Sequence, residues 1–449
     1  MQIPPGLSTP AAIQTFRFVT QPLPLFDECA ARFGDVFTIR LVGSGSWVMF
    51  SKPEHIKTLF GGDPEYVRGG EANAAIFAPL TGTTSSLVID GQSHAKRRRT
   101  LTPPFAGERM RAYAGTMAEI TASRIAEWPR DRAMPLEPKM RQIALQVILR
   151  SIFGLDRGAE AQRLAELLVK LGTAGVGSPL LFFPLLQWDL GRYSPWGRIM
   201  HLRRQADEAL YAEIARRRAS GTQGREDILS LLLSTRNEDG RPLTDIELRD
   251  ELVTMLFAGH ETTALALTWS FERILSYPEV ERRLHDELMA VVGDKPVTAA
   301  DVPRLEYLDA VIKESLRVRP IGPVAGNRRL TAPFEIAGYT VPAGAIVANC
   351  CYLGHKRAEV YPEPERFNPD RFLNVKPQAH EWTPFGGGQR RCPGANFAAF
   401  EMKVVIATIL RTLQLRLVHP SRRVERRGFF IGPEAELPVL VQNREEMRR

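Results

Sequence analysis

One stretch toward the C-terminal end of the chain reads Pro384-Phe385-Gly386-Gly387-Gly388-Gln389-Arg390-Arg391-Cys392-Pro393-Gly394. Three consecutive glycines stabilise neither a helix nor a strand, because each loses backbone entropy on folding and offers no side chain to pack. They suit a backbone that bends tightly or approaches another group closely. From Ala395 onward a helix is predicted, because apolar residues recur every three or four positions, at Phe397, Phe400, Val404, Ala407 and Leu410. The stretch therefore places Cys392 on a glycine-rich loop at the start of a helix.

The surroundings of Cys392 are expected to favour its thiolate. Peptide N–H groups at a helix start lower the pKa of a thiol, and Arg390 and Arg391 act in the same direction. A phosphate-binding loop would need Gly-Lys-Ser or Gly-Lys-Thr after its glycines, and the two arginines stand there instead. A zinc site would need further cysteine or histidine nearby. A structural glycine turn with an ordinary buried cysteine remains open from this stretch alone.

The spacing Phe-x-x-Gly-x-Arg-x-Cys-x-Gly is met by Phe385, Gly388, Arg390, Cys392 and Gly394. It resembles the haem-binding loop of the cytochrome P450 family, the haem-thiolate monooxygenases. The resemblance implies haem b (iron protoporphyrin IX) as the cofactor, Cys392 as the axial metal ligand, and Phe385, Arg390 and Gly394 beside the ring. It also implies a mainly α fold over residues 1–449, one domain with a smaller β-rich part at about residues 33–60 and 325–350.

Composition agrees with one large soluble domain. The chain has 449 residues, of which 44% are hydrophobic, and it contains no long Pro/Ser/Gly linker and no internal repeat. Four cysteines in a chain of this size form no disulfide framework, so a reducing compartment is expected. Residues 1–6 resemble neither a signal peptide nor an anchor, and the longest apolar stretch, residues 179–186, is far too short to span a bilayer. We therefore expect a cytoplasmic monomer, which within the resembled family indicates a bacterial type.

The chain is basic, with a net charge of +8 and a pI of about 9.4. Nucleic-acid binding would need basic residues on one face, interleaved with aromatic residues, and no such pattern is present. A solvated arginine-rich surface and a patch that docks an acidic partner both remain open.

Two segments resemble the parts of the family that bind the haem propionates. His94 and Arg98 lie four residues apart in a predicted helix and therefore share one face. An ordinary basic helix face is the alternative. Counting back from Gly338, Arg328 takes the place of the family's propionate-binding arginine, and the neighbouring Arg329 is a rival.

A long central helix is predicted from a capping box at Thr244 and Glu247 to about Ser276, where Pro278 stops it. Its centre, residues 255–264, contains a glycine, a glutamate and two threonines in an otherwise apolar helix, and a mid-helix glycine costs about 1 kcal/mol relative to alanine.

Two functional patterns compete at this centre. His260-Glu261 begins like the zinc-protease pattern His-Glu-x-x-His, but Ala264 occupies the second histidine position and excludes it. Ala-Gly-x-Glu-Thr resembles the family's oxygen-activating segment, which implies that Glu261 and Thr262 are catalytic and deliver protons. A hydrogen bond from Thr262 to the carbonyl of Ala258 is also expected and is compatible with that role.

A support network for the cysteine loop is implied by the resemblance. Glu314 and Arg317 lie in a helix predicted over residues 303–319, and Arg366 lies in Pro364-Glu365-Arg366-Phe367. The family joins such residues in a buried ion network that is costly to break. We therefore expect Glu314, Arg317 and Arg366 to be structural.

The remaining predictions concern strands and the substrate pocket. Two hairpins are expected, one at residues 36–50 and one formed by 334–341 and 344–348, and residues 61–90 are expected to form a long loop. Residues 172–196 match the family's apolar lid. The order of segments along the chain places these residues in the pocket wall: Phe77, Leu87, Phe182, Ala258, Val324 and Ile431.

The predicted activity is hydroxylation or epoxidation, with O2, of an apolar fatty acid, terpenoid or polyketide. No flavin or nicotinamide domain follows residue 449, so electrons are expected from a ferredoxin or flavodoxin with its reductase. A basic face near Lys96, Arg97, Arg391 and Lys403 would dock that partner. The alternatives are a haem-thiolate enzyme that uses peroxide or rearranges its substrate without a redox partner, a non-catalytic haem sensor, and a basic nucleic-acid binder without haem. Glu261 and Thr262 argue against the first alternative, which has less need of proton delivery.

Overall fold

The computed structural model describes residues 3–105, 107–154, 159–176, 178–183, 186–236, 240–421, 423–427 and 429–443. The fold is mainly helical. In chain order the helices are α1 (Ala11–Thr20), α2 (Pro22–Phe33), α3 (Pro53–Phe60), α4 (Gly69–Thr81), α5 (Gly91–Leu101), α6 (Glu108–Ala126), α7 (Leu136–Phe153), α8 (Ala159–Val176), α9 (Pro195–Ser220), α10 (Ile228–Ser234), α11 (Asp245–Ser276), α12 (Pro278–Val291), α13 (Glu306–Val318), α14 (Cys351–Gly354) and α15 (Ala395–Thr412).

The strands form one larger sheet and several small ones. The strands are β1 (Val36–Leu41), β2 (Gly45–Phe50), β3 (Val67–Arg68), β4 (Ala133–Pro135), β5 (Ala325–Leu330), β6 (Phe334–Ile336), β7 (Tyr339–Val341), β8 (Ile346–Asn349), β9 (Leu413–Leu417), β10 (Val424–Arg427), β11 (Phe430–Pro433) and β12 (Pro438–Asn443). The five-stranded sheet has the order β1-β2-β8-β5-β3, and β2 pairs with β8 in parallel. Strands β4, β12 and β9 form a second sheet, and β10-β11 and β6-β7 are two-stranded.

The first predicted hairpin is confirmed, and the second is wrong. Strands β1 and β2 pair antiparallel from Val36 opposite Phe50 to Leu41 opposite Gly45. Downstream, the chain turns at Ala337 and Gly338, whose φ angles of 56° and 77° suit a two-residue hairpin turn between β6 and β7. Strand β8 does not join that hairpin, because it is taken up between β2 and β5.

Residues 61–90 were expected to form a loop, and this expectation is wrong because they contain helix α4. Its first turn has no local side-chain cap. Instead, the carboxylate of Asp90 accepts the backbone N–H groups of Gly70 (2.9 Å) and Glu71 (2.7 Å). The capping acceptor comes from about 20 residues downstream, and rules for local capping residues therefore miss this helix.

Helix α11 is the central element and carries the predicted capping box at Thr244 and Glu247. It packs most extensively against α7, and Gly259 lies at that contact. A Cβ atom on Gly259 would lie 2.7 Å from Cδ1 of Ile148 in α7. The mid-helix glycine therefore allows the two helices to approach closely, which offsets its propensity cost.

Among the described residues, none of the helices combines the length and the apolar character needed to cross a membrane.

Candidate active site

The Cys392 loop is held by its own backbone and by the end of α3. The N–H of Cys392 donates to the carbonyl of Phe385 (2.9 Å), and that of Gly386 donates to Thr383 (3.0 Å). Gly388 has a φ of 63°, and a Cβ atom on it would lie 2.4 Å from the carbonyl oxygen of Phe60. The glycines are therefore needed for backbone conformation and for close approach to α3.

Cys392 differs from the other cysteines in its exposure. Cys29, Cys350 and Cys351 are fully buried, whereas Cys392 is partly exposed. Burial raises the pKa of Cys351 to about 12, and its thiol donates to the carbonyl of Gly322 (2.8 Å). Of the four cysteines, all of which lie in the described part of the chain, Cys392 is the one open to a bound group.

The expected low pKa of Cys392 is not found in the protein alone. Burial raises its pKa and outweighs the Gly394 N–H and the charges of Arg98 and Arg391, all of which act in the expected direction. A coordinated metal ion would supply the missing positive charge, since metal coordination deprotonates a thiol outright. The donor therefore fits a haem iron.

A cluster of cationic residues surrounds a cavity of about 20 Å³. His94 from α5, Arg328 from β5 and Arg390 from the Cys392 loop line it, together with Asp90. Burial, together with the charges of Arg390 and Arg98, lowers the pKa of His94 to about 4. Burial and the charge of Arg390 lower the pKa of Arg328 to about 10.

The charge of this cluster suits an anionic ligand. Each cation lowers the pKa of its neighbours, and Asp90 is the acidic residue that lines the cavity, at 2.5 Å from Arg390. Buried positive charge in excess of negative charge is costly unless an anion pairs with it. The two propionate carboxylates of haem b would supply such an anion. The residues present therefore fit the group.

Arg328 and its rival Arg329 face different surroundings. Arg328 is buried and lies in the cationic cluster. The guanidinium of Arg329 donates to the carbonyl of Gly344 (2.8 Å) and is more exposed. The structure therefore brings Arg328, and not Arg329, to His94 and Arg390.

The centre of α11 is open although the rest of its C-terminal half is buried. Ala258 is exposed and Thr262 is half-buried, whereas most residues from 263 to 274 are buried. The hydroxyl of Thr262 donates to the carbonyl of Ala258, as expected. The centre of α11 therefore leaves Ala258 and Thr262 accessible, between stretches of the helix that are mostly buried.

Glu261 makes an ion pair that the sequence did not predict. Both its carboxylate oxygens lie 3.0 Å from nitrogens of Arg141 in α7. Arg141 also donates to Glu137 (2.7 Å), one turn earlier on α7. Arg141 therefore fixes the orientation of the Glu261 carboxylate at the contact between α7 and α11.

The predicted support network forms, but Arg371 takes the place that was predicted for Arg366. Arg317 binds both carboxylate oxygens of Glu314, at 2.6 and 2.8 Å, and both side chains are buried. Arg366 contributes only its backbone carbonyl, because its side chain is exposed and pairs with Glu363. Arg371 occupies the expected position, 3.5 Å from Glu314. The assignment of Arg366 is therefore wrong.

A second sequence signal could have identified Arg371. Pro369-Asp370-Arg371-Phe372 repeats the pattern Pro-acid-Arg-Phe five residues after Pro364-Glu365-Arg366-Phe367.

His355 was also missed. Its Nδ1 lies 3.2 Å from the carbonyl of Arg317, and its Nε2 accepts the N–H of Thr383 (3.0 Å), at the beginning of the cysteine loop.

The residues predicted to line the pocket have different surroundings. The ring of Phe77 packs against that of Phe429, with 4.9 Å between the ring centroids. Leu87 and Val324 are partly buried, and Val324 packs against the N-terminal apolar cluster. Ile431 is buried, and its carbonyl accepts the indole N–H of Trp269 (3.1 Å). The side chain of Phe182 lies outside the described residues.

The expected basic docking face is smaller than predicted. Arg97 is buried and pairs with Glu247 and Glu251, and Lys403 pairs with Asp309 at 2.8 Å. Arg391 is exposed beside Cys392. Partners distant in sequence therefore remove Arg97 and Lys403 from the docking surface.

Comparisons with known proteins agree with this geometry. The model of the cytochrome P450 family matches residues 4–435. A Mycobacterium tuberculosis protein provisionally named cytochrome P450 135B1 is 41% identical over 416 residues, which cover 92% of this chain and 86% of that protein. Another, provisionally named cytochrome P450 138, is 34% identical and covers 99% of this chain and 97% of its own length.

Two solved structures share the fold. The retinoic acid-bound cyanobacterial CYP120A1 aligns with a TM-score of 0.85 at 24% identity, over 99% of this chain and 100% of that chain. The haem domain of cytochrome P450DA aligns with a TM-score of 0.87 at 21% identity, over 100% and 99%. Members of this family are oxidoreductases that hold haem b through a cysteine thiolate and use O2. The match over nearly the whole sequence therefore shows that the chain belongs to the cytochrome P450 family of haem-thiolate monooxygenases.

Proposed function

We propose that this P450 hydroxylates or epoxidises an apolar small molecule of the fatty acid, terpenoid or polyketide class, and that the thiolate of Cys392 would bind the iron of haem b. The observation that carries the proposal is that His94, Arg328 and Arg390 line one cavity, while Arg98 acts electrostatically on both His94 and Cys392. When bound, the haem activates O2, and thiolate donation favours O–O cleavage.

The cations of the cluster bind and orient the cofactor in this proposal. Arg390, Arg328 and Arg98 would donate charge-assisted hydrogen bonds to the propionates, and His94 would donate one from its ring. Phe385 and Gly394 belong to the loop that carries Cys392. Glu314, Arg317 and Arg371 hold the backbone that precedes this loop, through His355 and Thr383.

Proton delivery is assigned to Thr262 and Glu261. The Thr262 hydroxyl bonds to the carbonyl of Ala258 and so keeps its oxygen at the open centre of α11. The carboxylate of Glu261 lies one residue away and is half-buried, oriented by Arg141. A carboxylate at this position can pass protons from solvent to the hydroxyl, which is a general-acid role.

The substrate is held by apolar side chains. In this proposal the packed rings of Phe77 and Phe429 form part of the pocket wall, and the exposed Ala258 of α11 forms another part. Aromatic pairs of this kind favour ligands with large apolar surfaces and few polar groups.

A ferredoxin or flavodoxin with its reductase is proposed as the electron donor. The family generally uses such redox partners. Arg391 is exposed next to Cys392, and this places a positive charge where an acidic partner would approach the cofactor.

The test begins with the carbon monoxide difference spectrum of the reduced protein. We expect the thiolate-type band, and we expect Cys392→Ser to lose it while Cys351→Ser, the buried control, retains it. A Cys392→Ser variant with an unchanged spectrum would refute the ligand assignment. A panel of fatty acids, terpenoids and polyketides, scored by the Soret shift, then selects the substrate class.

Turnover separates the remaining alternatives. Product formation coupled to NADPH consumption, with redox proteins added, supports a monooxygenase. Product formed with peroxide alone, or without any oxidant, supports the partner-independent alternative. A ligand-induced Soret shift without product under all of these conditions supports a haem sensor.

A further inference from the structure

A polar segment, Thr84-Ser85-Ser86, is tied to α11 by side chains of that helix. Thr84 donates its N–H and its hydroxyl to Asp250, at 3.0 and 2.8 Å. Ser86 donates its N–H and its hydroxyl to Glu251, at 2.6 and 2.8 Å. The hydroxyl of Ser85 lies 2.7 Å from that of Thr254. Three successive residues are therefore bound to one helix face.

The residues that follow bind the arginine of the Cys392 loop. The carbonyls of Ser86 and Leu87 each accept a hydrogen bond from Arg390 at 3.3 Å, and the carbonyl of Ile89 accepts another. The carboxylate of Asp90 pairs with the same guanidinium at 2.5 Å. Residues 84–90, here called the polar strap, therefore connect α11 to Arg390.

The carboxylates that hold the strap are buried. Asp250 is 3% exposed and Glu251 is 1% exposed. Each has an arginine partner, since Arg249 lies 3.0 Å from Asp250 and Arg97 lies 3.1 Å from Glu251. Burial raises the pKa of Glu251, and Arg97 and Ser86 oppose that rise. Buried ion pairs add little net stability compared with apolar packing, but they fix the position of the groups that they bind.

We propose that Asp250 and Glu251 are positioning residues for the haem propionates: they hold the polar strap, and the strap orients the guanidinium of Arg390. This inference rests on the proposed function, in which Arg390 meets a propionate. A guanidinium whose remaining donors are bound to fixed carbonyls loses less freedom when it binds a carboxylate. The strap thereby strengthens haem binding and keeps positive charge near the ring, although Asp250 and Glu251 belong to the helix that carries Thr262.

The first test is Ser86→Ala, which removes one hydrogen bond to Glu251 without changing any charge. Loss of a bond of this kind corresponds to about a threefold to tenfold change in an equilibrium. We expect haem transfer to apomyoglobin to be roughly three to ten times faster. We also expect the reduction potential to become more negative. A positive charge near the iron favours the reduced form, and a less fixed Arg390 would favour it less.

The matched control is Ser230→Ala. Ser230 is a buried serine whose hydroxyl donates to Asp227 at 3.0 Å, within an ion pair formed with Arg217. Its loss changes stability by a similar amount, but the site is not part of the strap. If Ser86 only stabilises the fold, Ser86→Ala and Ser230→Ala should have equal haem transfer rates and equal reduction potentials. This result would overturn the proposal.

A double-mutant cycle with Arg390→Lys identifies the route of the effect. If the strap acts through Arg390, Ser86→Ala has little further effect on haem transfer once Arg390 is replaced. Additive effects would overturn the proposal even if each single variant loses haem faster. A wild-type protein that binds no haem would overturn the proposed function as well, whereas normal haem binding with additive effects overturns the strap alone.

Discussion

His355 is held in its neutral form because it bridges two backbone groups. Its Nε2 accepts the N–H of Thr383, so Nδ1 carries the proton and donates to the carbonyl of Arg317. Burial, together with the charge of Arg317, lowers the pKa of His355 to about 3. A protonated ring would lose its acceptor, and the cysteine loop would lose this link to α13.

This arrangement predicts a dependence of stability on pH. The ordinary pKa of 6.5 applies to the unfolded chain, so between pH 6.5 and 3 the unfolded state binds the proton and the folded state does not. Stability is therefore complete above pH 6.5 and is lost as the pH falls. We expect His355→Asn to reduce the slope of the unfolding free energy between about pH 6.5 and 5 by about 1 kcal/mol per pH unit. Urea unfolding at several pH values measures this, and an unchanged slope would contradict it.

Arg371 and Arg366 provide a second test at the scale of single residues. Arg371→Gln removes a mostly buried cation from Glu314, and breaking a buried pair costs about 3 kcal/mol. Arg366→Gln alters an exposed pair with Glu363 and should change stability by less than about 0.5 kcal/mol. The urea midpoints of the two variants measure these losses of stability. A larger loss for Arg366→Gln than for Arg371→Gln would restore the original assignment of Arg366.

At the scale of elements, the contact between α7 and α11 depends on Gly259. Gly259→Ala gains up to about 1 kcal/mol of helix propensity but forces a methyl group against Ile148, at a cost of about 1–3 kcal/mol. We expect a net loss of about 1 kcal/mol. Ile148→Val removes the Cδ1 atom that the new methyl would meet, so the double variant should be more stable than additivity predicts. Thermal or urea unfolding of the four proteins measures the coupling.

The same contact allows a test of the proposed role of Glu261 in proton delivery. Glu261 and Glu137 both bind Arg141, but Glu261 lies beside Thr262. We expect Glu261→Gln to slow turnover about 100-fold with an unchanged haem spectrum, because a proton donor is lost. Glu137→Gln should lower stability and leave turnover of the folded protein near the wild-type value. Equal losses of turnover would indicate that both carboxylates act only through packing of α7.

What the sequence could reveal at this scale depends on the distance between partners. The capping box of α11, the first hairpin and the Cys392 loop are specified by residues within about 15 positions, and each forms as predicted. Helix α4 was missed because its cap, Asp90, lies downstream. Lys403 was misplaced because Asp309, which neutralises it, lies nearly one hundred residues away. Sequence patterns therefore predicted contacts between residues that are close along the chain and missed contacts between residues that are far apart.

At the scale of the whole molecule, the net positive charge and the exposure of Arg391 predict where the electron donor binds. The chain carries a charge of +8, and Arg391 is exposed beside Cys392. We expect Arg391→Glu to slow reduction by an acidic ferredoxin or flavodoxin several-fold at low salt, and less at high salt, because rim charges act on the association rate and are screened. Arg192→Glu, on the exposed connection between α8 and α9, is the control. Stopped-flow reduction at several ionic strengths measures both, and equal effects would exclude a docking role for Arg391.

The parallel pairing of β2 with β8 also determines when the five-stranded sheet can be completed during biosynthesis. Phe50 is made about 300 residues before its partner Asn349, and ribosomes add roughly 5–20 residues per second. The N-terminal hairpin therefore waits roughly 15 to 60 s with an unpaired strand edge, which is a site for aggregation. We expect nascent chains arrested before β8 to leave this hairpin open to protease, and chains arrested well beyond β8 to protect it. Protection in both would show that the hairpin is shielded by other means.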